Sequence, residues 1–150
     1  GNYRFAPNES LTRAQIAQIL YAQAGSPAVS GEMKFTDVAQ GSWYYNAVLW
    51  ASQNGIVTGY ANGMFRPNTN ITREQLARML YAHAGTPAVS GDLNNFADGA
   101  KVSNWAKDAV IWAKEKGIIK GKTVNGKLCI DPQGNATRAE AATMMKNYLG

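Results

Sequence analysis

The chain has one cysteine, Cys129, and one histidine, His83. A lone thiol cannot close an intrachain disulfide or build a multi-Cys zinc site, and a lone imidazole removes most His-based metal and triad chemistry. No apolar run approaches the roughly 20 residues that span a bilayer, so no membrane insertion is expected, and no charged-then-apolar leader opens the chain. Catalytic triads, phosphate-cradling glycine loops and nucleic-acid modules are missing too, so neither a cofactor nor a nucleic-acid partner is expected.

What is present is an ordinary globular composition of 150 residues, 45% hydrophobic and 10% aromatic, which is enough for a substantial core. The net charge of +5 is uneven. Residues 1–100 hold six Lys/Arg and six Asp/Glu, whereas residues 101–150 hold nine and four. Lys114, Lys116, Lys120, Lys122 and Lys127 carry much of the excess, which suits either an acidic partner or a solvated face.

Self-similarity organises the rest. "FRPNTNITREQLARMLYAHAGTPAVSG" (65–91) overlays "FAPNESLTRAQIAQILYAQAGSPAVSG" (5–31) at an offset of 60, and "IDPQGNATRAEAATMMKNYLG" follows at an offset of 65. The other half-unit starts at Phe35, "FTDVAQGSWYYNAVLWASQNGIVTGYANGMF", and at Phe96, "FADGAKVSNWAKDAVIWAKEKGIIKGKTVNGKL". The order is second half, first half, second half, first half, second half. We therefore read 1–150 as one module: 1–31 as the second half of repeat 1, 32–91 as repeat 2 and 92–150 as repeat 3. On this reading the chain is a fragment lacking the first half of repeat 1.

Each half reads as one helix. Tyr44, Ala47, Val48 and Ala51 follow the i, i+3, i+4, i+7 pattern, with Trp43 and Trp50 on a neighbouring stripe. Gly55 and Gly117, each followed by Ile, are placed to end those helices in a left-handed cap. In the other half Ile16, Ile19 and Leu20, then Leu76, Met79 and Leu80, form the buried face, and Gly25-Ser-Pro27 and Gly85-Thr-Pro87 stop the helix. Asn62-Gly63 and Asn125-Gly126 predict two very short β-ribbons.

Thr12, Thr72 and Thr137 are followed three residues later by Gln15, Gln75 and Glu140, the pattern of a capping box, in which each hydroxyl stabilises a helix start by about 1 kcal/mol. The caps put Arg13, Arg73 and Arg138 at the first helical position, where the dipole disfavours a cation. Two readings compete. Each guanidinium pairs with an internal acid such as Asp37 or Asp98 while its stem covers a Trp; or guanidinium and free helix-start amides together form an anion site. Trp50 and Trp112 read as core. Trp43 and Trp105 stand at the helix entrance, where an aromatic face could floor a sugar site. His83 aligns with Gln23 and Tyr148 and reads as a surface helix residue.

The stretch "FTDVAQGSWYYNAVLWASQNGIVTGYANGMFRPNTNITREQLARML" resembles an S-layer homology (SLH) repeat over its whole length, and with its flanking copies the resemblance covers nearly all of the chain. It implies a mainly α fold, tandem helix-loop-helix repeats in a pseudo-threefold helical spindle with grooves between neighbours. It also implies a secreted, non-catalytic module that anchors proteins to the bacterial cell wall or S-layer by binding acidic, often pyruvate-ketal-bearing, secondary wall polysaccharide. The family's T-R-A-E arginine, a main ligand contact, matches Arg13, Arg73 and Arg138. The F-x-D-V aspartate matches Asp37 and Asp98, the helix-start tryptophan Trp43 and Trp105, and the turn glycine Gly59 and Gly121. This sequence departs from the pattern at Gln15 and Gln75, which replace Glu, at "FADGAKVSN", and at "LCIDPQG" in place of "MFRPN".

The leading expectation is a wall-polysaccharide anchor. The alternative is a protein-protein interaction or S-layer assembly module whose arginines are structural. A wall glycosidase stands third, since it needs a carboxylate pair about 5 to 10 Å apart. An incomplete first repeat would expose apolar helix surface and invite self-association.

Overall fold

The computed structural model describes residues 9–60 and 62–149. The stretch 5–8, where the first copy carries its F-x-P-N approach, lies outside them. Two compact units are present: Thr12–Asn70, and Ile71 onward together with the segment ending at Leu11.

In the first unit α1 (Arg13–Gln23) packs on α2 (Tyr45–Gln53). Ile16, Leu20, Ala47, Val48 and Ala51 are fully buried between them, as the helical spacing predicts. Ile19 departs from expectation, being 42% exposed where its counterpart Met79 is buried. Within its unit α1 has one helical partner, whereas α3 (Arg73–His83) packs on α4 (Lys107–Glu115) and also meets α5 (Arg138–Leu149) through His83 and Tyr148. Burial therefore covers a wider stripe of α3 than of α1.

The glycine stops behave as the sequence predicts. Gly55 and Gly117 adopt φ of 70° and 71°, and the amides of Ile56 and Ile118 reach back 2.8 Å to the carbonyls of Ala51 and Ala113, closing a Schellman cap over buried isoleucines. Beyond α1 and α3, Tyr21 and Tyr81 donate their hydroxyls to the carbonyls of Pro27 and Pro87, which ties each exit strand to its helix. Tyr21 packs on a half-buried Trp50 and Tyr81 on a buried Trp112, both at 5.6 Å between centroids. His83 is not a free surface residue: Nδ1 lies 2.7 Å from the Tyr148 hydroxyl, and Tyr148 in turn meets Trp112 edge-on.

Of the two expected ribbons, one forms among the described residues. β1 (Lys122–Val124) and β2 (Lys127–Cys129) pair antiparallel around Asn125 and Gly126, both at positive φ. Around Asn62-Gly63 there is a turn without strands. The reason is length. Gly59 and Phe65 leave five residues between them, whereas Gly121 and Ile130 leave eight, enough for three facing pairs.

Ahead of the helix starts the second unit closes a small ring of backbone bonds. Ile71 donates to Leu11 (2.8 Å), Ala136 to Ile71 (2.9 Å) and Leu11 to Ala136 (3.3 Å), with all three side chains buried. The residue before each capping threonine is apolar because it sits in this ring. Glu74, the second residue of α3, is buried as well, and accepts hydrogen bonds from the Ser103 amide and hydroxyl and from Gln133. It thereby holds the short 3-10 turn Asn104–Ala106 that leads into α4.

Two glycines at positive φ separate backbone strain from steric conflict. A Cβ on Gly117 meets nothing within 4 Å, whereas one on Gly121 (φ 81°) meets the Phe96 ring at 2.8 Å, Leu128 at 3.0 Å and the Cys129 carbonyl at 3.1 Å. Gly117→Ala is expected to cost about 1 to 2 kcal/mol in urea unfolding, and Gly121→Ala at least about 1 kcal/mol more. Equal costs would contradict the packing described.

Candidate functional site

The capping boxes place each arginine. The Thr12 and Thr72 hydroxyls accept from the amides of Gln15 and Gln75 while their own amides donate back to the Gln side-chain oxygens, and Thr137 and Glu140 do the same. The preceding two amides of α1 and α3 are also taken. Arg13 and Ala14 donate to the carbonyls of Thr69 (2.9 Å) and Pro67 (3.0 Å), and Arg73 and Glu74 to those of Gly134 (2.9 Å) and Pro132 (3.0 Å). The Arg138 amide donates to Glu9 at 2.7 Å. The expectation of free helix-start amides therefore fails for α1 and α3, where N1 through N3 are all bonded. Any anion at these two starts meets side-chain cations rather than these helix amides.

Asp37 and Asp98 hold the loops that supply those carbonyls. Asp37 accepts from the amides of Phe65 and Arg66, both at 2.8 Å, and Asp98 from those of Ile130 (2.8 Å) and Asp131 (2.7 Å). Direct pairing of these aspartates with the arginines, one of the two sequence readings, is thus corrected: among the described residues neither is in an ion pair. They position the arginine's surroundings. The expectation that a stem covers a Trp also gives way, since Arg13 lies 5.1 Å from the Tyr60 ring centroid and 4.8 Å from that of Phe65.

The three guanidiniums differ in their counter-charges. Arg73 meets two carboxylates: Nη1 donates to Asp131 at 3.0 Å, and Nε and Nη2 both donate to Glu140. Arg138 faces Glu9 at 3.6 Å, and its Nε is buried with no hydrogen-bond acceptor among the described residues. Arg13 is 7% exposed, and Nε donates to the Phe65 carbonyl at 2.9 Å. No carboxylate among the described residues lies within ion-pair distance of Arg13. Burial pushes its pKa below the ordinary value, Tyr60 and Asp37 oppose this, and Arg66, stacked 4.1 Å over the same Tyr60 ring, reinforces it.

Repeat alignment explains the contrast. Asp131 and Glu140 occupy the positions that Arg66 and Gln75 hold one copy earlier. The replacement of "RPNT" by "DPQG" is legible in the sequence, but its consequence for Arg73 is visible only in three dimensions. Sequence reasoning also missed Tyr60 and Phe65 as the aromatic walls around Arg13.

Beside Arg73 the second unit has a pocket of about 270 Å³, with Ile130 and Met144 among its apolar walls and Gly121, Lys120 and Lys122 on its border. Gly121 thus belongs with Arg73. Gly59 (φ 74°) instead abuts the Phe35 ring and the Met64 carbonyl, where a Cβ would not fit. Trp43 and Trp105 are 61% and 55% exposed at the entrances of α2 and α4, and among the described residues no cation-π contact joins either to an arginine. Among the described residues no group of His, Cys, Asp or Glu could hold a metal ion, and no helix is long and apolar enough to cross a membrane.

Paired capped helices, turn glycines and arginine-led helix starts define a repeat module, and comparison with known proteins gives its family. The S-layer homology domain model matches residues 34–77 and 95–142, so the chain belongs to the S-layer homology family. It is 35% identical over 148 residues to the Surface-layer 125 kDa protein of Lysinibacillus sphaericus, covering 99% of this chain and 12% of that protein. Against an Endoglucanase of Bacillus sp. (strain KSM-635) the identity is 34%, covering 97% and 15%. Against the Cellulosome-anchoring protein of Acetivibrio thermocellus it is 26%, covering 97% and 33%. The chain thus spans a third or less of each of these relatives.

The ion pair of Arg73 has a pH signature. Burial alone would raise the Glu140 pKa, but hydrogen bonds from Arg73 and Thr137 and the Arg73 charge outweigh it and hold the carboxyl below its ordinary 4.5. A depressed carboxylate pKa stabilises the fold above the ordinary value, and that contribution is lost as pH falls through 4.5 toward the lowered value. Glu140→Gln keeps a capping box, as Gln15 and Gln75 show, and removes the charge. We expect it to cost about 1 kcal/mol near neutral pH, with the gap in Tm from wild type closing as the solution is acidified below 4.5. A gap independent of pH would contradict the assignment.

Proposed function

We propose that the chain is a non-catalytic module holding the protein that carries it on the bacterial cell surface by binding an acidic wall polysaccharide, of the pyruvate-ketal type, through arginine-carboxylate contacts. Membership of the S-layer homology family supports anchoring, as do relatives named for a surface layer and for cellulosome anchoring. The observation that carries the finer reading is Arg13. A desolvated guanidinium between two aromatic rings, with a second cation beside it and, among the described residues, one carbonyl acceptor and no carboxylate within ion-pair distance, is suited to a ligand carboxylate. Lys120 and Lys122 beside the Arg73 pocket add positive charge suited to the same kind of polymer.

Two carboxylates meet at Arg73, but both are ion-paired with its guanidinium, whereas a glycosidase needs one of its pair protonated. The relatives named as glucanases share this segment with the chain over 13 to 15% of their own length. Catalysis in those proteins is not an argument for catalysis here.

Cosedimentation with wall sacculi, before and after the polysaccharide is stripped, tests the proposal. Wild type is expected to bind the intact sacculi and lose binding to the stripped ones. Arg13→Met keeps the buried stem and deletes the charge. It is expected to weaken binding by about tenfold or more while changing stability by less than about 1 kcal/mol. Equal binding to both sacculi would remove the polysaccharide reading. Unchanged binding with a large loss of stability would make Arg13 structural, as an assembly module requires.

A further inference from the structure

The repeat offers three versions of one arginine site, and the third differs from the second by a coordinated set of substitutions. Where the second copy has Arg66 and Thr69, the third has Asp131 and Gly134. Both Arg66 and Asp131 adopt left-handed backbone, φ 60° and 53°, so the position presents its side chain from the same kind of local turn in each copy. In the third copy that side chain is a carboxylate, held by Arg73 Nη1 at 3.0 Å and by Lys122 Nζ at 3.3 Å. It is 45% exposed, whereas the Arg73 side chain is 11% exposed. An exposed carboxylate therefore sits on Nη1, the guanidinium nitrogen that Glu140 leaves unbonded, beside a pocket bordered by Lys120, Lys122 and Gly121.

Gly134 makes this arrangement sterically feasible. A Cβ there would strike the Asp131 carboxylate and Arg73 Nη1, and Gly134 has no positive φ that would call for glycine on backbone grounds. Of the three copies the one with the acid is also the one with the glycine, because Thr69 and Glu9 occupy that position elsewhere.

We propose that Asp131 is an internal stand-in for a ligand carboxylate: it occupies Arg73 Nη1 and Lys122 Nζ, so that Arg73 accepts an acidic ligand only after Asp131 is displaced, while Arg13 has no carboxylate among the described residues to displace. This rests on the reading that acidic polysaccharide is the ligand. Asp131 is then a specificity-determining residue. It makes the site at Arg73 the weaker of the two for a carboxylate, and the ligand that takes it must grip the same two cations.

Arginine Nε–H signals of Arg13 and Arg73, followed by NMR during titration with the pyruvate ketal of methyl glucoside, test this on the whole chain. In wild type the Arg13 signal is expected to move first, with Arg73 needing at least about tenfold more probe. Two variants free Nη1 by different means. Asp131→Asn removes the charge and keeps a residue that tolerates left-handed backbone, and Gly134→Ala displaces the pair without touching either charge. Both are expected to bring the Arg73 response down to the concentration at which Arg13 responds, and to leave Arg13 unchanged; unaltered far-ultraviolet circular dichroism checks that they fold. Equal responses of Arg73 and Arg13 in wild type would overturn the proposal. So would an Arg73 signal silent in both folded variants while Arg13 binds, a result that leaves the acidic-ligand reading standing. Silence of both arginines in every protein would overturn the two together.

Discussion

The structure depends on how its helix starts are sealed. An α-helix leaves its first amides without intrahelical partners, and they form the usual anion site of a helix N-terminus. In α1 and α3 a threonine cap takes the third amide, and the carbonyls of a neighbouring proline-containing loop take the first two. Those loops stay in place because Asp37 and Asp98 each clamp two of their amides. Sealing removes the competing donors and leaves a guanidinium at the positive end of the helix, so the arginine dominates what an anion meets there.

The unfavourable position of the arginines acquires a physical sense from this. A cation at a helix start is costly unless an anion is near, and the copies differ in where the anion comes from. Arg73 has Asp131 and Glu140. Arg138 has Glu9 at a longer distance. Arg13 has aromatic rings, one carbonyl and the opposed charges of Arg66 and Asp37 around it. One architectural element thus varies along the chain from pairing with two carboxylates to having none within ion-pair distance among the described residues, by changes at a few loop and cap positions.

Much of this was legible in the sequence, and the limit has a physical origin. Caps, glycine stops and buried stripes are local: Thr12 with Gln15, Gly117 with Ile118 and Val48 with Ala51 lie within a turn or two of each other, and each forms as its pattern predicts. The capping pattern put Arg13, Arg73 and Arg138 at the first helical position, where the structure has them. Partners distant along the chain were not legible. Asp37 reads as an ion-pair partner because it is acidic and recurs, yet its acceptors are used on backbone amides 28 and 29 residues away. His83 reads as a surface residue because its position in the other copies is Gln23 or Tyr148, and its actual partner is that same Tyr148 across the unit. The missing first ribbon follows from loop length, which a turn dipeptide alone does not report.

On the function proposed for Arg13, the charge on the polymer, rather than its sugar rings, is what the guanidinium recognises. The measurement that tests this most directly is the affinity of the whole chain for purified wall polysaccharide before and after its carboxylates are chemically reduced to alcohols, with chain length and neutral sugars left intact. Loss of nearly all binding on reduction is the predicted result. Undiminished binding to the reduced polymer would contradict it.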